Sequence, residues 1–317
     1  MPGGNISVFI PHEGCKFRCS FCDQQNITGR VDTSNIVDAV KASKRKDNEI
    51  AFFGGSFTCL EKDYMISLLD TAQKEINKGN AIGIRMSTRP DGISYDIINI
   101  LKNYTISCVE LGAQSMCDEC LAANRRGHDA ASVVNAVKLL KENGFKVGLQ
   151  MMLGLYKSDF KKDLYTAREI AKLKPDCVRV YPTVVLENTL LYRLYNKGEY
   201  RPLSLEEAVE LSAEVLEIFL SENINVIRVG LHSVESYVSG PFHPAFGEMA
   251  ESRVMLKRVL PLLKEKGRYN LYVNKSFISK MIGQRRINIE ILRKKGYNCK
   301  VYEKDLPNYI VKVEKID

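Results

Sequence analysis

From Ala130 to Met152 the chain reads AASVVNAVKLLKENGFKVGLQMM, and this stretch decides the fold class. Up to Leu140 the apolar residues Val133, Val134, Val137 and Leu140 recur on one stripe, the spacing of an amphipathic helix. Gly144 follows as a helix stop. Lys146-Val147-Gly148-Leu149-Gln150-Met151-Met152 then reads as a strand. The same alternation continues outward in both directions. Strands are expected at 6–10, 50–54, 81–86, 106–111, 145–152 and 177–181, with helices at 34–45, 62–77, 94–103, 130–142 and 159–173. Strands and helices in strict series require a parallel sheet with right-handed crossovers. The expected fold is therefore α/β, a (β/α) partial barrel of about six parallel strands.

Further along, Ser204-Leu205-Glu206-Glu207 is a capping box that opens a helix over 204–221, and Asn225-Val226-Ile227-Arg228-Val229 is one more strand. Around Gly240-Pro241-Phe242-His243-Pro244 the pattern breaks into loop chemistry. Beyond it a helix near 247–265 and strands near 270–274, 298–303 and 308–313 form a small α/β appendage. The expected division is a core over 1–240 and a basic subdomain over 241–317. Charge supports it: residues 251–317 hold 17 Lys+Arg against 7 Asp+Glu, whereas residues 1–250 hold 29 against 31. Such asymmetry points to a separate surface for a polyanion. With 45% hydrophobic and 26% charged residues the chain is neither disordered nor coiled-coil. No apolar run reaches the roughly 18–20 residues a membrane span needs, and the start shows no basic segment ahead of a greasy one. The expectation is a cytoplasmic protein with no membrane partner.

Nine cysteines, an odd and clustered count, argue against a disulfide framework. Three of them form Cys15-x3-Cys19-x2-Cys22 in the loop after the first strand, on the face where parallel barrels carry active sites. Soft thiolates favour zinc or an iron–sulfur cluster. A closed zinc site wants four ligands, and only His12 could complete a local set, so a [4Fe–4S] cluster with one open iron is the better reading. Phe52-Phe53-Gly54-Gly55-Ser56-Phe57 ends the second strand, where two glycines let the backbone approach a ligand.

The triplet, with the aromatic Phe21 before its last cysteine, resembles the signature of the radical S-adenosylmethionine superfamily. That resemblance implies that Cys15, Cys19 and Cys22 hold the cluster and that Gly54 and Gly55 bind the amino group of S-adenosylmethionine. It further implies that the open iron chelates this cofactor. One electron would then cleave the sulfonium to methionine and a 5′-deoxyadenosyl radical. Such a reaction draws on an electron donor such as flavodoxin or ferredoxin.

Further segments follow the strand order of the Elongator catalytic-subunit family. They are Thr88-Arg89-Pro90-Asp91, Val109-Glu110-Leu111-Gly112-Ala113-Gln114-Ser115, Arg126-Gly127-His128, Lys146 to Met152 and Tyr181-Pro182-Thr183-Val184-Val185. By that resemblance Gln114 and Arg126 contact the ribose and carboxylate of S-adenosylmethionine, and Ser87 and Gln150 occupy cofactor-side positions. The chain departs at these last two, with Ser87 where the family has an acid and Gln150 where it has His or Asp. The remaining tail lacks the Gly-rich turn that could bind acetyl-CoA.

Cys117-x2-Cys120 has no matching pair and reads as two helix-face thiols. In the tail, Lys280, Arg285, Arg286, Arg293, Lys294 and Lys295 are interleaved with Tyr272, Phe277 and Tyr297, which suits phosphate binding and base stacking. Ile282-Gly283-Gln284-Arg285-Arg286-Ile287 has part of the backbone-gripping loop of KH modules, without its second glycine. The expected function is a radical S-adenosylmethionine enzyme acting on RNA, most naturally tRNA. The same residues also suit a small-molecule or peptide substrate, or a non-enzymatic redox sensor that binds RNA.

Overall fold

In a computed structural model, which describes residues 4–10, 12–15, 17–23, 31–232 and 235–316, strand and helix alternate from the start. The order is β1 (Asn5–Ile10), α1 (Thr33–Ala42), β2 (Glu49–Gly54), α2 (Lys62–Asn77), β3 (Gly83–Thr88), α3 (Tyr95–Leu101) and β4 (Ile106–Gln114). There follow α4 (Asp118–Ala123), α5 (Ala130–Glu142), β5 (Val147–Leu153), α6 (Phe160–Lys172) and β6 (Cys177–Pro182). A two-residue β7 (Val185–Leu186), α7 (Leu190–Asn196) and α8 (Leu205–Ser221) lead to β8 (Asn225–Val229). Strands β1 to β6 and then β8 make one parallel seven-stranded sheet in chain order. Its two edges, β1 and β8, are not paired with each other among the described residues, so the sheet is a curled half-barrel. The seventh strand extends the six expected: α8 carries the chain back so that β8 docks beside β6.

Burial alternates with period two along the strands. Ile50 and Phe52, Ile84 and Met86, Leu149 and Met151, and Val178 and Val180 are buried against the helices. Their neighbours Phe53, Arg85, Ser87, Gln150, Met152, Arg179 and Tyr181 are half-buried on the opposite, concave face. That concave face is the lumen. The helices close the convex face, α5 with Val133, Ala136, Val137 and Leu140. Val134, expected on this stripe, is exposed, because the buried stripe runs through Val133, Ala136, Val137 and Leu140 and leaves position 134 beside it. Gly144, at φ 80°, ends α5 with Phe145 N–H bonded to Leu140 O (3.1 Å).

After β8 come β9 (Tyr237–Ser239), paired with β7, then α9 (Phe246–Val259), β10 (Gly267–Val273), α10 (Ile278–Ile282), α11 (Ile287–Lys294), β11 (Tyr297–Glu303) and β12 (Lys312–Ile316). The last three strands form a separate sheet, ordered β11-β10-β12, with β11 parallel and β12 antiparallel to β10. Helix α9 has two buried faces. Met255 and Val259 join Leu271, Val273, Met281 and Leu292 in the small core, while Ala250 and Val254 pack on Ala213 and Leu216 of α8. It stops at Val259, short of the expected 265, because Pro261 cannot continue it. Among the described residues no helix is long and apolar enough to cross a membrane.

Candidate active site

The cysteine loop crosses directly over the end of β2. A Cβ on Gly14 would lie 2.2 Å from Ser56 O, so only glycine fits there. Gly55 N–H bonds Ile10 O (3.2 Å), and Gly54 takes φ 102°, where a side chain would be strained. The triplet and the glycine pair, 32 residues apart between Cys22 and Gly54, are thus one structural unit. The far limb is clamped by buried Asn124. Its Oδ1 accepts from Ser20 Oγ (2.6 Å), its O from Ser20 N–H (3.1 Å), and its Nδ2 donates to Cys120 O (2.7 Å) and Tyr156 O (2.9 Å).

The three thiols feel one another. Burial, reinforced by Cys19 and Cys15, pushes the Cys22 thiol up to about 12. Burial likewise raises Cys15, against a bond from Ser56 N–H and the charges of Arg89 and Arg126. Among the described residues no three His, Cys, Asp or Glu side chains converge as ligands of a single ion. Three thiols near enough to influence one another are the soft donor set that an iron–sulfur cluster takes. Cationic groups face them as well. Arg126 Nη1 donates to Cys19 Sγ (3.0 Å) and Nη2 to Gly112 O (2.6 Å), while its buried Nε has no partner. Gln114, at φ 64° on a bulge of β4, buries an unpartnered Oε1. A Cβ on Gly112 would meet Gln114 Nε2 at 3.0 Å and Arg126 Nη2 at 3.4 Å, so this glycine keeps a space between them. Orphaned buried polar atoms beside desolvated thiols are what a cofactor's polar groups would satisfy.

Arg89 is the organiser that residue spacing did not reveal. Buried, it forks onto Asp91 (2.8 and 3.2 Å), bonds the Arg126 carbonyl and lies over the Phe17 ring (5.0 Å). Phe17 in turn packs on Gly127, where a Cβ would come within 2.4 Å of the ring. Below it the hydroxyls of Ser56, Thr58 and Thr88 bond one another (2.7 and 2.9 Å). Only their clustering at strand ends in the sequence could have marked them.

Ser87 and Gln150 meet in the lumen. Gln150 Nε2 donates to Ser87 Oγ (3.2 Å) and to Glu110 Oε2 (3.1 Å). Glu110 is 1% exposed and is forked by Arg179 on both oxygens (2.5 and 3.0 Å), with Arg85 sharing Oε1 (2.9 Å). Arg85 also bonds Glu49 (2.6 Å). Burial alone raises the Glu110 carboxyl, but the two arginines outweigh it and hold it below its ordinary value.

The histidines divide. His128 is buried, with its Nε2 unpartnered, and burial next to Arg126 lowers it to about 4. Both ring nitrogens of His12 are buried without a partner, and burial lowers it too. His243 Nδ1 accepts from Ala245 N–H (3.0 Å), a structural bond. Cys117 caps α4, and Cys120 is buried and donates to Lys157 O (3.4 Å).

In the tail, Arg285 and Arg286 form the turn between α10 and α11, both left-handed at φ 51° and 61°, and both are exposed. Lys294 and Lys295 are exposed at the end of α11, and none of these four has a carboxylate partner among the described residues. Lys280 and Arg293 are already paired, with Glu251 (2.8 Å) and Glu290 (2.7 Å). Phe277, expected to be available for stacking, belongs to the small core, whereas Tyr272 and Tyr302 lie together at the sheet (5.9 Å).

Residues 9–166 match the radical SAM superfamily and residues 175–257 the Radical_SAM C-terminal domain. The tRNA uridine(34) acetyltransferase of Methanocaldococcus jannaschii is 33% identical over 183 residues, 51% of this chain and 34% of that protein. The chain thus spans about a third of the length of that relative. An uncharacterized protein of the same organism is 26% identical over 82% of this chain and 79% of its own length. Among solved structures, the Elp3 of Methanocaldococcus infernus with an N-terminal deletion superposes with a TM-score of 0.65 at 24% identity, over 81% of this chain and 64% of that one.

Proposed function

Because this chain belongs to the radical S-adenosylmethionine superfamily, we propose that it is a radical enzyme of RNA modification, with tRNA as its substrate class. The observation that carries the reading is the fusion of the cysteine loop with the Gly54-Gly55 strand end, faced by Arg126. Cys15, Cys19 and Cys22 would hold a [4Fe–4S] cluster, and Gly54, Gly55, Gln114 and Arg126 would hold S-adenosylmethionine. When bound, these supply a 5′-deoxyadenosyl radical, with the electron coming from a donor such as flavodoxin or ferredoxin. The chain's own part is positional. Gly54 and Gly55 offer backbone carbonyls to an ammonium group, Arg126 offers a fork to a carboxylate, and Arg89 fixes Arg126 through its carbonyl. Ser87 and Gln150, already bonded to each other and to Glu110, would shape the nucleoside side of the lumen rather than carry charge to it.

Substrate RNA would be held by Arg285, Arg286, Lys294 and Lys295, four tail cations with no carboxylate partner among the described residues, and Lys280 and Arg293 would contribute only by releasing Glu251 and Glu290. A basic subdomain over 241–317 would thus grip phosphates while the core over 1–240 holds a nucleoside taken out of its stack. The test is nucleoside mass spectrometry of tRNA from cells with and without the gene. A modified nucleoside that disappears with the gene supports the reading. An unchanged profile, with 5′-deoxyadenosine still formed by the purified reduced protein, overturns the RNA substrate and leaves a small molecule.

A further inference from the structure

The lumen holds a cation that nothing in the radical site uses. Arg228 on β8 stands in register with Arg179 on β6, so both side chains leave the sheet on the concave face. Arg179 is neutralised by its fork onto Glu110, whereas Arg228 has no carboxylate within ion-pair distance among the described residues. Its Nε donates to Gly230 O (3.0 Å) and its Nη1 to His232 Nε2 (2.5 Å). A guanidinium only donates, so His232 is the neutral ring with Nε2 accepting and the proton on Nδ1. Burial and the neighbouring Arg179 hold Arg228 below its ordinary value, and His232 is lowered by burial and by Arg228. Burial is the larger cause of both shifts, and the neighbouring cations add to it.

The same lumen has an aromatic wall. Phe9 of β1 is paired in register with Phe53 of β2 and is 59% exposed, although the alternate residues of its strand are buried. The Arg179 guanidinium lies over the Phe53 ring (5.3 Å), which links the phenyl wall to Arg228 across the lumen. A flat apolar surface at one side and a forked cation with an imidazole donor at the other are complementary to one chemical class, a base carrying a phosphate.

We propose that the lumen is a nucleotide pocket in which Arg228 and His232 hold a phosphate and Phe9 and Phe53 face the base. The inference rests on the RNA-modification reading for where that nucleotide comes from, and it deepens that reading by assigning residues to the reacting unit. It stands apart from the tail cations, which lie at the two ends of α11.

The experiment is equilibrium dialysis of the cluster-loaded full chain against each of the four nucleosides, their 5′-monophosphates and inorganic phosphate, at low salt. At least one monophosphate is expected to bind tenfold or more tightly than its nucleoside, with inorganic phosphate weaker than either. Arg228→Gln should cut that discrimination to under twofold. Arg228→Lys, which keeps the charge without the fork, should retain part of it, and His232→Ala should lose two- to fivefold. These last two decide the matter if Arg228→Gln does not fold. Equal binding of nucleoside and nucleotide, no binding of any monophosphate, or discrimination that survives loss of Arg228 overturns the pocket. Measurement of tRNA association alongside separates the two claims. Association without monophosphate discrimination sinks the pocket and spares the RNA reading. Discrimination without association keeps the pocket and makes its ligand a free nucleotide.

Discussion

Two cationic regions of this molecule have opposite fates. In the lumen, Arg85 and Arg179 sit 13% and 11% exposed and are consumed by Glu49 and Glu110. In the tail, Arg285, Arg286, Lys294 and Lys295 are exposed and unpaired among the described residues. Net charge counted along the chain treats the two alike. Burial separates them: Arg85 and Arg179 are paired with the carboxylates that offset their desolvation, whereas an exposed guanidinium is solvated and available. The paired lumen charge therefore maintains the shape of the half-barrel, and the exposed tail charge is left for a partner.

The sharpest division between the regions lies in what a cluster would do. Replacing any of Cys15, Cys19 or Cys22 by Ala should abolish the brown cubane absorption and lower 5′-deoxyadenosine formation by a factor of about 1,000 or more, the scale on which loss of an essential group acts. Tail association with tRNA should survive in these variants if the two regions fold independently of the cluster. Joint loss would show that the cluster organises the tail, and the contrast drawn here would break.

Next in size is the lumen network itself. Glu110→Gln leaves Arg85 and Arg179 buried without their shared carboxylate and should cost about 3–5 kcal/mol in chemical unfolding. The native Glu110 carboxyl is held below its unfolded value of 4.5, so its contribution is complete above that pH and is lost as pH falls through the lower folded value. Acid unfolding of Glu110→Gln should lack that component. A cost under 1 kcal/mol would mean that water screens the network and that the lumen is wetter than its burial indicates.

His128 gives a smaller and pH-limited effect. Its folded value of about 4 lies below the ordinary 6.5, so the unfolded chain binds a proton that the folded chain refuses. Stability should then fall by about 3 kcal/mol as pH drops from above 6.5 to about 4. His128→Gln should flatten that window in thermal melts monitored across pH. An unchanged slope would place the titration elsewhere.

The sequence made some of this legible and hid the rest for a physical reason. The β/α series could be read because periods of 3.6 and 2 are local, and the Gly14–Cys22 and Gly54–Gly55 segments because their chemistry is compact in the chain. Val134 misled because one residue of offset leaves the helix face while still resembling the stripe. Asn124, which clamps Ser20 from 104 residues away, and Arg89, which bonds Arg126 across 37, have no local signature. The same holds for Arg228, whose meaning appears only once β8 is laid beside β6. In the tail the Glu290–Arg293 pair is an i,i+3 contact that the count of charges passed over, and Lys280–Glu251 needed the packing of α9 against α10.

The smallest stability effect is the most informative about the tail. Arg285→Glu with Arg286→Glu touches two exposed side chains that bond no other side chain among the described residues, so unfolding should move by no more than about 0.5 kcal/mol. Both residues sit at positive φ, and the substitution keeps a β-carbon there, so backbone strain is unchanged to first order. The expected change is in binding: tRNA association should weaken at least tenfold, and the salt dependence should lose about two phosphate contacts from its slope. The lumen offers the control. A charge change at Glu110 lowers stability first and binding second, and here the order is reversed. Should the double variant melt several kcal/mol lower, these arginines would be structural like Arg85 and Arg179, and the two regions would differ only in exposure.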